Sequence, residues 1–237
     1  ELSVGCAGGI DTNTTYRYTQ VPVAPNSQYL SISIRGLLGG HSGMDINKGR
    51  GNANKMMNRV LYHLLSMIEF QLVSIDGGSM RNAIPRESLA VVAIDREKSE
   101  LFTSEFNRIA GTIKLEYASI EEELSIEVTD AVSEAKAVPQ EEKLKIIKTI
   151  YAVHNGVFRM SPDIEGLVEA SSSLARVVVS EGEFSTQSLQ RSSVESSKDD
   201  VANTVRGPFE IMGCGVVQSG DYPGWQPNPN SEILKLM

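Results

Sequence analysis

Residues 29–68 read YLSISIRGLLGGHSGMDINKGRGNANKMMNRVLYHLLSMI, and this stretch decides the fold. Apolar and polar residues alternate from Leu30 to Arg35, which is the period of two expected of a half-buried strand. From Asn52 onward the apolar residues recur every three or four positions, which places one continuous stripe on a helix. A glycine-rich loop that carries His41 joins the two elements. The stretch therefore predicts a strand, a loop and a helix in succession.

The rest of the chain continues this mixture of strands and helices. The N-terminal residues 1–11 resemble a strand that runs into a glycine-rich turn. The hydrophobic patterns predict strands over 70–78, 82–95, 124–132, 168–180, 183–192 and 213–220, and helices over 101–117, from Pro139 to about 155 and over 199–212. Many neighbouring strands are joined by short turns of the hairpin kind. The pattern predicts an α+β fold with a mostly antiparallel sheet and helices packed on one face.

The composition limits the classes of partner. Lys and Arg number 22 against 30 Asp and Glu, and the net charge of -8 argues against nucleic acid and anionic membranes as partners. The longest uninterrupted apolar run, residues 89–94, is far below the roughly 20 residues that cross a bilayer. Cys6 and Cys214 form no disulfide framework and no cysteine zinc site. We therefore expect a cytoplasmic protein whose partners are peptides or small molecules.

Few residues of the chain could perform chemistry. The three histidines, His41, His63 and His154, stand in no His-x-His, His-x-Asp or HExxH spacing, so we expect no metal site within this chain. The phosphate-binding motif GxxxxGK[ST] is also absent. The acidic runs at Glu121–Glu123 and Glu141–Glu142 are predicted to be solvated faces or helix-start charges.

The remaining candidates are groups that bind and polarise. His41 can donate a hydrogen bond to a developing oxyanion, Asn82 offers both a donor and an acceptor, and Arg191 can grip a carboxylate, as can Arg81. The alternative is that the loop glycines only form turns and these side chains lie on the surface. A hydrolase that uses His41 with Ser42 is a third option, although adjacent side chains on an extended segment point to opposite sides.

Four segments together resemble one known arrangement. They are GLLGGHSGMDINKGRGNANKMMNRVL (36–61), DGGSMRNAIPRE (76–87), RMSPDIEGLVEASSSLARV (159–177) and YPGWQPNPNSEIL (222–234). They resemble the lid, or dimerisation, domain of the bacterial aminoacyl-histidine dipeptidases, which are zinc exopeptidases related to carnosinases. The similarity runs nearly end to end, with the four segments in the right order.

The resemblance implies a role for each candidate residue. His41 matches the family histidine that reaches an active site, often that of the partner subunit, and polarises the scissile carbonyl. Asn82 and Arg191 match residues that hold the backbone and carboxylate of a dipeptide substrate. The family binds zinc through motifs of its catalytic domain, and none of them is matched here. We therefore expect zinc in a parent enzyme, no metal ligands and no activity in this chain alone, and a homodimer formed through the lid.

The resemblance also implies a domain organisation. Residues 1–27 would be a remnant of the catalytic domain with its linker, residues 28–220 the lid or dimerisation domain, and residues 221–237 the returning catalytic-domain segment. A second hypothesis is a stand-alone, non-catalytic module that uses the lid fold for self-association or interaction. The gene sequence on either side of this chain distinguishes the two hypotheses.

Overall fold

The structure, a computed structural model, describes residues 5–133, 136–228 and 232. Apart from Glu232, the C-terminal part of the predicted returning segment therefore lies outside the described residues. In chain order the strands and helices are β1 (Gly8–Arg17), β2 (Ser27–Arg35), β3 (Gly40–His41), α1 (Ala53–Met67), β4 (Gln71–Gly77), β5 (Ala83–Ile84), β6 (Ser88–Asp95), α2 (Ser99–Tyr117), β7 (Ser125–Ala131), α3 (Gln140–Ala152), β8 (Gly156–Met160), β9 (Val168–Ser180), β10 (Glu183–Ser192), α4 (Glu195–Met212) and β11 (Gly215–Tyr222).

Nine of these strands form one sheet. Its order is β11-β1-β10-β9-β4-β6-β2-β7, with β8 paired to β9 outside this path. Within the described residues every strand pair of the sheet is antiparallel. The short strands β3 and β5 form a separate two-stranded ladder. The predicted mostly antiparallel sheet is confirmed.

The four helices form one layer on this sheet. Helix α1 contacts both α2 and α3, and α3 contacts α4. Helix α1 also packs on β2, β6 and β9, while α4 packs on β1, β9 and β10. The apolar stripe of α1 is buried against them, including Met57, Val60, Leu61 and Leu64. The predicted helical face is therefore confirmed, and the α+β fold class with it.

Helix α1 begins where the sequence indicates. Asn52 is its N-cap, and the Asn52 side-chain oxygen accepts hydrogen bonds from the backbone N–H groups of Asn54 and Lys55. The Asn52 side-chain amide donates to the carbonyl of Leu174 at 3.1 Å. One side chain therefore both starts the helix and fixes it on strand β9.

The turn between β9 and β10 also matches its prediction. Glu181 and Gly182 have φ angles of 50° and 81°, so both residues are left-handed. Two left-handed central residues are what a two-residue hairpin turn with the twist of its strands requires. This turn fixes the register of β10, on which Arg191 lies.

Three strands differ from the sequence prediction. The strand predicted over 82–95 is divided into β5, which pairs with β3, and β6, which belongs to the large sheet. The predicted N-terminal strand before the glycines falls partly on residues 1–4, which lie outside the described residues, and the described strand β1 begins at Gly8 and includes both Gly8 and Gly9. It pairs with β10 on one side and with β11 on the other, so the sheet continues through residues 8–17 and 215–222. The domain boundaries at residues 27 and 220 stay predictions. Strand β8 was not predicted, because its sequence, GVFRM, does not alternate between apolar and polar residues.

No helix in the described part of the chain has both the length and the hydropathy needed to cross a bilayer.

Candidate active-site loop

The glycine-rich loop around His41 is held at both ends by one carboxylate. We call residues 38–51 the His41 loop. The side chain of Glu121 accepts hydrogen bonds from the backbone N–H groups of Leu38 and Gly51, each at 2.7 Å. Glu121 is only 3% exposed, so its charge is satisfied by these donors and not by bulk water. The prediction that Glu121 belongs to a solvated face is therefore wrong.

A second carboxylate organises the inside of the His41 loop. Asp45 accepts a hydrogen bond from the backbone N–H of His41 at 2.8 Å and one from the Lys48 ammonium at 2.7 Å. These two hydrogen bonds, the Lys48 bond first, lower the pKa of Asp45. Gly40 has a φ of 132°, and a side chain there would collide with Asp45 and Arg50. The loop is therefore a closed, hydrogen-bonded structure and not a flexible connector.

The His41 loop is also attached to the segment that carries Asn82. His41 pairs with Ala83 in the β3–β5 ladder, and the Ser42 N–H donates to the Asn82 carbonyl at 3.0 Å. The Asn82 side chain is exposed and has no hydrogen-bond partner among the described residues. Asn82 is thus placed beside His41 through its main chain, and its amide group is free to contact a ligand.

The imidazole of His41 is oriented by the loop backbone. Its Nδ1 atom accepts hydrogen bonds from the N–H groups of Gly43 and Met44, each at 3.2 Å. An Nδ1 atom that accepts carries no proton, so the hydrogen bonds assign the proton of the neutral ring to Nε2. His41 therefore presents an N–H donor on the side of the ring that faces Arg191.

Arg191 reaches His41 from strand β10. Its Nε donates to the Ser42 hydroxyl at 3.4 Å, and its Nη1 donates to the Tyr222 hydroxyl at 2.8 Å. Its Nη2 lies 3.5 Å from the His41 Nε2 atom. No carboxylate lies within 4.0 Å of this guanidinium among the described residues, unlike most arginines of the chain. The site therefore contains an unneutralised cation beside a neutral N–H donor.

The environment of His41 keeps its ring neutral. Burial lowers the pKa of His41 first, and the positive charge of Arg191 lowers it further. His154, which follows helix α3, also has a pKa lowered by burial. The unfolded chain, with ordinary histidine pKa values near 6.5, binds more protons at low pH. Because the folded state disfavours protonation of both residues, the free energy of unfolding should decrease as the pH falls below about 6.5.

We expect an NMR titration to show this directly. In the protein labelled at histidine nitrogens, His41 should titrate below 6.5 and show the Nε2–H tautomer at pH 7. Replacing Arg191 with methionine removes the positive charge but not the burial, so the pKa of His41 should rise towards its ordinary value. His154, whose pKa is lowered by burial and has no contribution from Arg191, is the internal control and should not respond. A His41 pKa unchanged by Arg191→Met would contradict the electrostatic contact.

The potential metal ligands of the described residues lie apart from one another. No group of three or more His, Cys, Asp or Glu side chains converges in the part of the chain that the structure describes. His63 lies on helix α1 against Glu105 and Arg108. His154 packs edge-on against Phe158. The described residues therefore do not fit a zinc site of their own.

The structure brings together most of what the sequence singled out and adds two residues. His41 and Arg191 are adjacent, Asn82 lies beside them, and Arg81 is instead bonded to Asp11 at 2.8 Å. Glu121 was missed because nothing local distinguishes it from the two glutamates that follow it. Tyr222 was missed as a site residue although it begins the fourth quoted segment, and that position was its only signal.

Known proteins resemble this chain in sequence. Residues 32–121 match the family model described as "Peptidase dimerisation domain", and this range includes the whole His41 loop and Glu121. The chain carries a peptidase dimerisation domain. The complete chain is 32% identical to the cytosol non-specific dipeptidase of Escherichia coli (strain K12), over 49% of that protein. This chain thus spans about half the length of the Escherichia coli dipeptidase.

A solved structure extends the likeness to the whole fold. The crystal structure of aminoacylhistidine dipeptidase from Vibrio alginolyticus superposes with a TM-score of 0.94 at 35% identity, over 98% of this chain and 48% of that one. The predicted resemblance to the lid, or dimerisation, domain of the aminoacyl-histidine dipeptidases is thereby confirmed. This structural match also covers the part of the chain outside residues 32–121. The same known structure therefore resembles both the dimerisation domain and the strands around it.

Proposed function

We propose that this chain is the lid and dimerisation region of a zinc-dependent Xaa-His dipeptidase. The observation that carries the proposal is a pair of neighbouring donors, one neutral and one cationic. His41 Nε2–H and the Arg191 guanidinium lie 3.5 Å apart, and neither has a carboxylate acceptor there among the described residues. Such a pair suits a ligand with two neighbouring acceptor groups, of which one is anionic. A dipeptide is such a ligand, since only the amide nitrogen and one Cα separate its carbonyl from its carboxylate.

Each residue has a distinct task in this proposal. His41 donates from Nε2 to the oxygen of the scissile carbonyl, and this bond strengthens as negative charge develops on that oxygen. Arg191 holds the substrate carboxylate through its free Nη hydrogens. Asn82 contacts the substrate main chain with its free amide. The closed His41 loop keeps the histidine oriented before the substrate binds, so little reorganisation is needed during the reaction.

The proposal extends to partners that the relatives' names support only in general terms. The family description favours self-association, so we propose a homodimer formed through this region. The two dipeptidase relatives support a dipeptide as substrate, and the cytosolic relative supports a cytoplasmic location. Zinc would be held by residues other than those described, since these do not gather a ligand set.

The test compares two lengths of polypeptide. We expect residues 1–237 alone to hydrolyse no dipeptide, with or without added zinc, because its described residues offer donors but no group that activates water. The longer protein encoded by the same gene is expected to hydrolyse L-alanyl-L-histidine. Turnover by residues 1–237 that persists in the Ser42→Ala variant would contradict the proposal. Loss of that turnover on the same change would favour the His41–Ser42 hydrolase instead.

A further inference from the structure

Tyr222 shares a row of the sheet with Arg191. Gly9 on β1 lies opposite Arg191 on β10 and opposite Tyr222 on β11. Residues directly opposite one another in an antiparallel ladder project to the same face of the sheet. Adjacent strands are about 4.8 Å apart, so Arg191 and Tyr222 stand roughly 10 Å apart at their backbones. Their side chains must therefore extend towards each other across the middle strand.

The glycine in the middle of the row makes this contact possible. A Cβ atom on Gly9 would lie 2.6 Å from the Tyr222 hydroxyl oxygen and 2.8 Å from the Cζ atom of the ring. Both distances are far below van der Waals contact. Because Gly9 has no side chain, the Tyr222 ring lies over the strand, and its hydroxyl reaches the Arg191 Nη1 atom at 2.8 Å.

The backbone of Tyr222 is anchored from helix α4. Lys198 is only 1% exposed, and its ammonium donates to the Tyr222 carbonyl at 3.1 Å. The same ammonium contacts Asp221 at 2.6 Å and Glu195 at 2.7 Å. Buried charge of this kind is costly unless it is fully paired, so the lysine fixes the end of β11 in one position. The position of Tyr222 is thus fixed by the space over Gly9 for its ring and by the bond from Lys198 to its carbonyl.

The Tyr222 hydroxyl still has one hydrogen bond to give. It accepts from Arg191, and a phenol that accepts retains its own O–H hydrogen. No acceptor for this hydrogen lies among the described residues, and the side chain is partly exposed. Beside it, Arg191 lacks a carboxylate partner. A phenol donor and an unneutralised guanidinium therefore lie side by side, 2.8 Å apart.

We propose that Tyr222 is a substrate-binding residue that acts with Arg191 to bind the C-terminal carboxylate of the dipeptide. This inference rests on the proposed function. One carboxylate oxygen accepts from an Arg191 Nη hydrogen, and the other accepts from the Tyr222 hydroxyl. A carboxylate has two oxygens with lone pairs for both bonds, whereas a neutral C-terminal amide offers only one acceptor atom and no charge. Tyr222 therefore selects for a free carboxylate, and the fixed position of its ring makes the site ready before the ligand arrives.

The experiment measures binding without turnover. The longer protein is freed of metal by chelation, and calorimetry measures the Kd of L-alanyl-L-histidine and of its C-terminal amide. We expect the wild type to bind the free acid at least tenfold more tightly than the amide. Tyr222→Phe should weaken binding of the free acid about tenfold, the effect of one hydrogen bond to a charged group, and change binding of the amide less than twofold. Gly9→Ala, which displaces the ring but keeps the hydroxyl, should act in the same direction.

The control is Tyr16→Phe. It removes a tyrosine hydroxyl bond of 2.7 Å to Glu142 at the other end of β1, and it should leave both Kd values within twofold. A purely structural role for Tyr222 would weaken the acid and the amide alike, and that result overturns the inference. Equal binding of acid and amide by the wild type overturns it as well. Selective loss in Tyr222→Phe from a protein that hydrolyses no dipeptide would uphold the carboxylate site and refute only the proposed function.

Discussion

Replacing His41 with alanine should lower kcat of the longer enzyme about 10²- to 10³-fold, which corresponds to about 2.7–4 kcal/mol of transition-state stabilisation. The Nε2–H group is expected to contribute mainly when charge develops on the carbonyl oxygen, so KM for a dipeptide should change less than threefold. Steady-state kinetics with L-alanyl-L-histidine measure both constants. His41→Asn retains a side-chain N–H donor and should recover part of the loss.

His63, on the helix that follows the His41 loop, provides the control for His41. His63 lies on helix α1 and bonds Glu105 at 3.0 Å, away from Arg191 and Tyr222. His63→Ala should therefore leave kcat within about threefold of the wild type. If kcat of His41→Ala also stayed within threefold, the polarising role of His41 would be refuted.

Replacing Arg191 with lysine should raise KM of the longer enzyme for a dipeptide about 10- to 100-fold, although the positive charge is kept. The guanidinium serves Ser42, Tyr222 and the ligand at once, with donors fixed in one plane. An ammonium is a point charge on a flexible stem and cannot reproduce that geometry. Hydrogen bonds to charged groups contribute about 1.5–3 kcal/mol each, which sets the size of the expected change.

Arg206 provides the matched control for Arg191. It lies on helix α4 and bonds Glu210 four residues along at 2.6 Å, with both side chains substantially exposed. Exposed ion pairs of this kind stabilise proteins by at most about 1 kcal/mol. Arg206→Lys should leave KM and kcat unchanged within twofold. A KM for Arg191→Lys equal to that of Arg206→Lys would show that Arg191 does not hold the substrate.

The sequence predicted those parts of the fold in which local pattern and packing agree. The stripe from Met56 to Ile68 predicted helix α1 because its spacing matches the face that the sheet buries. The pair Glu181–Gly182 predicted the β9–β10 turn because few residues accept its backbone angles. Strand β1 was misplaced because its residues, GGIDTNTTYR, are mostly small or polar. Thr12 and Thr14 are buried there although they are polar, because their hydroxyl groups form hydrogen bonds with side chains of β10.

The candidate site was predicted in part, for a related reason. His41 and Arg191 could be chosen from their residue types and from the segments that carry the resemblance, because an imidazole N–H can donate to an oxyanion and a guanidinium can bind a carboxylate. Their adjacency could not be derived from spacing, because it arises from the pairing of β10 with β1 and the fold of the His41 loop. Glu121 and Tyr222 act on the site through contacts made only in the folded chain. A glutamate in an acidic run and a tyrosine before a proline have no sequence pattern that indicates such contacts.

The connection between His41 and Arg191 has a consequence for how the molecule assembles. The two side chains are separated by 150 positions along the chain. Closing so long a loop is entropically costly, and contacts of this range slow the folding of antiparallel proteins. The ladder of β3 with β5 pairs His41 with Ala83, only 42 positions along the chain, whereas the guanidinium arrives only when β10 has joined β1. We therefore expect the proposed ligand-binding centre to be completed late in folding, so that a partly folded chain has the histidine without its cationic neighbour.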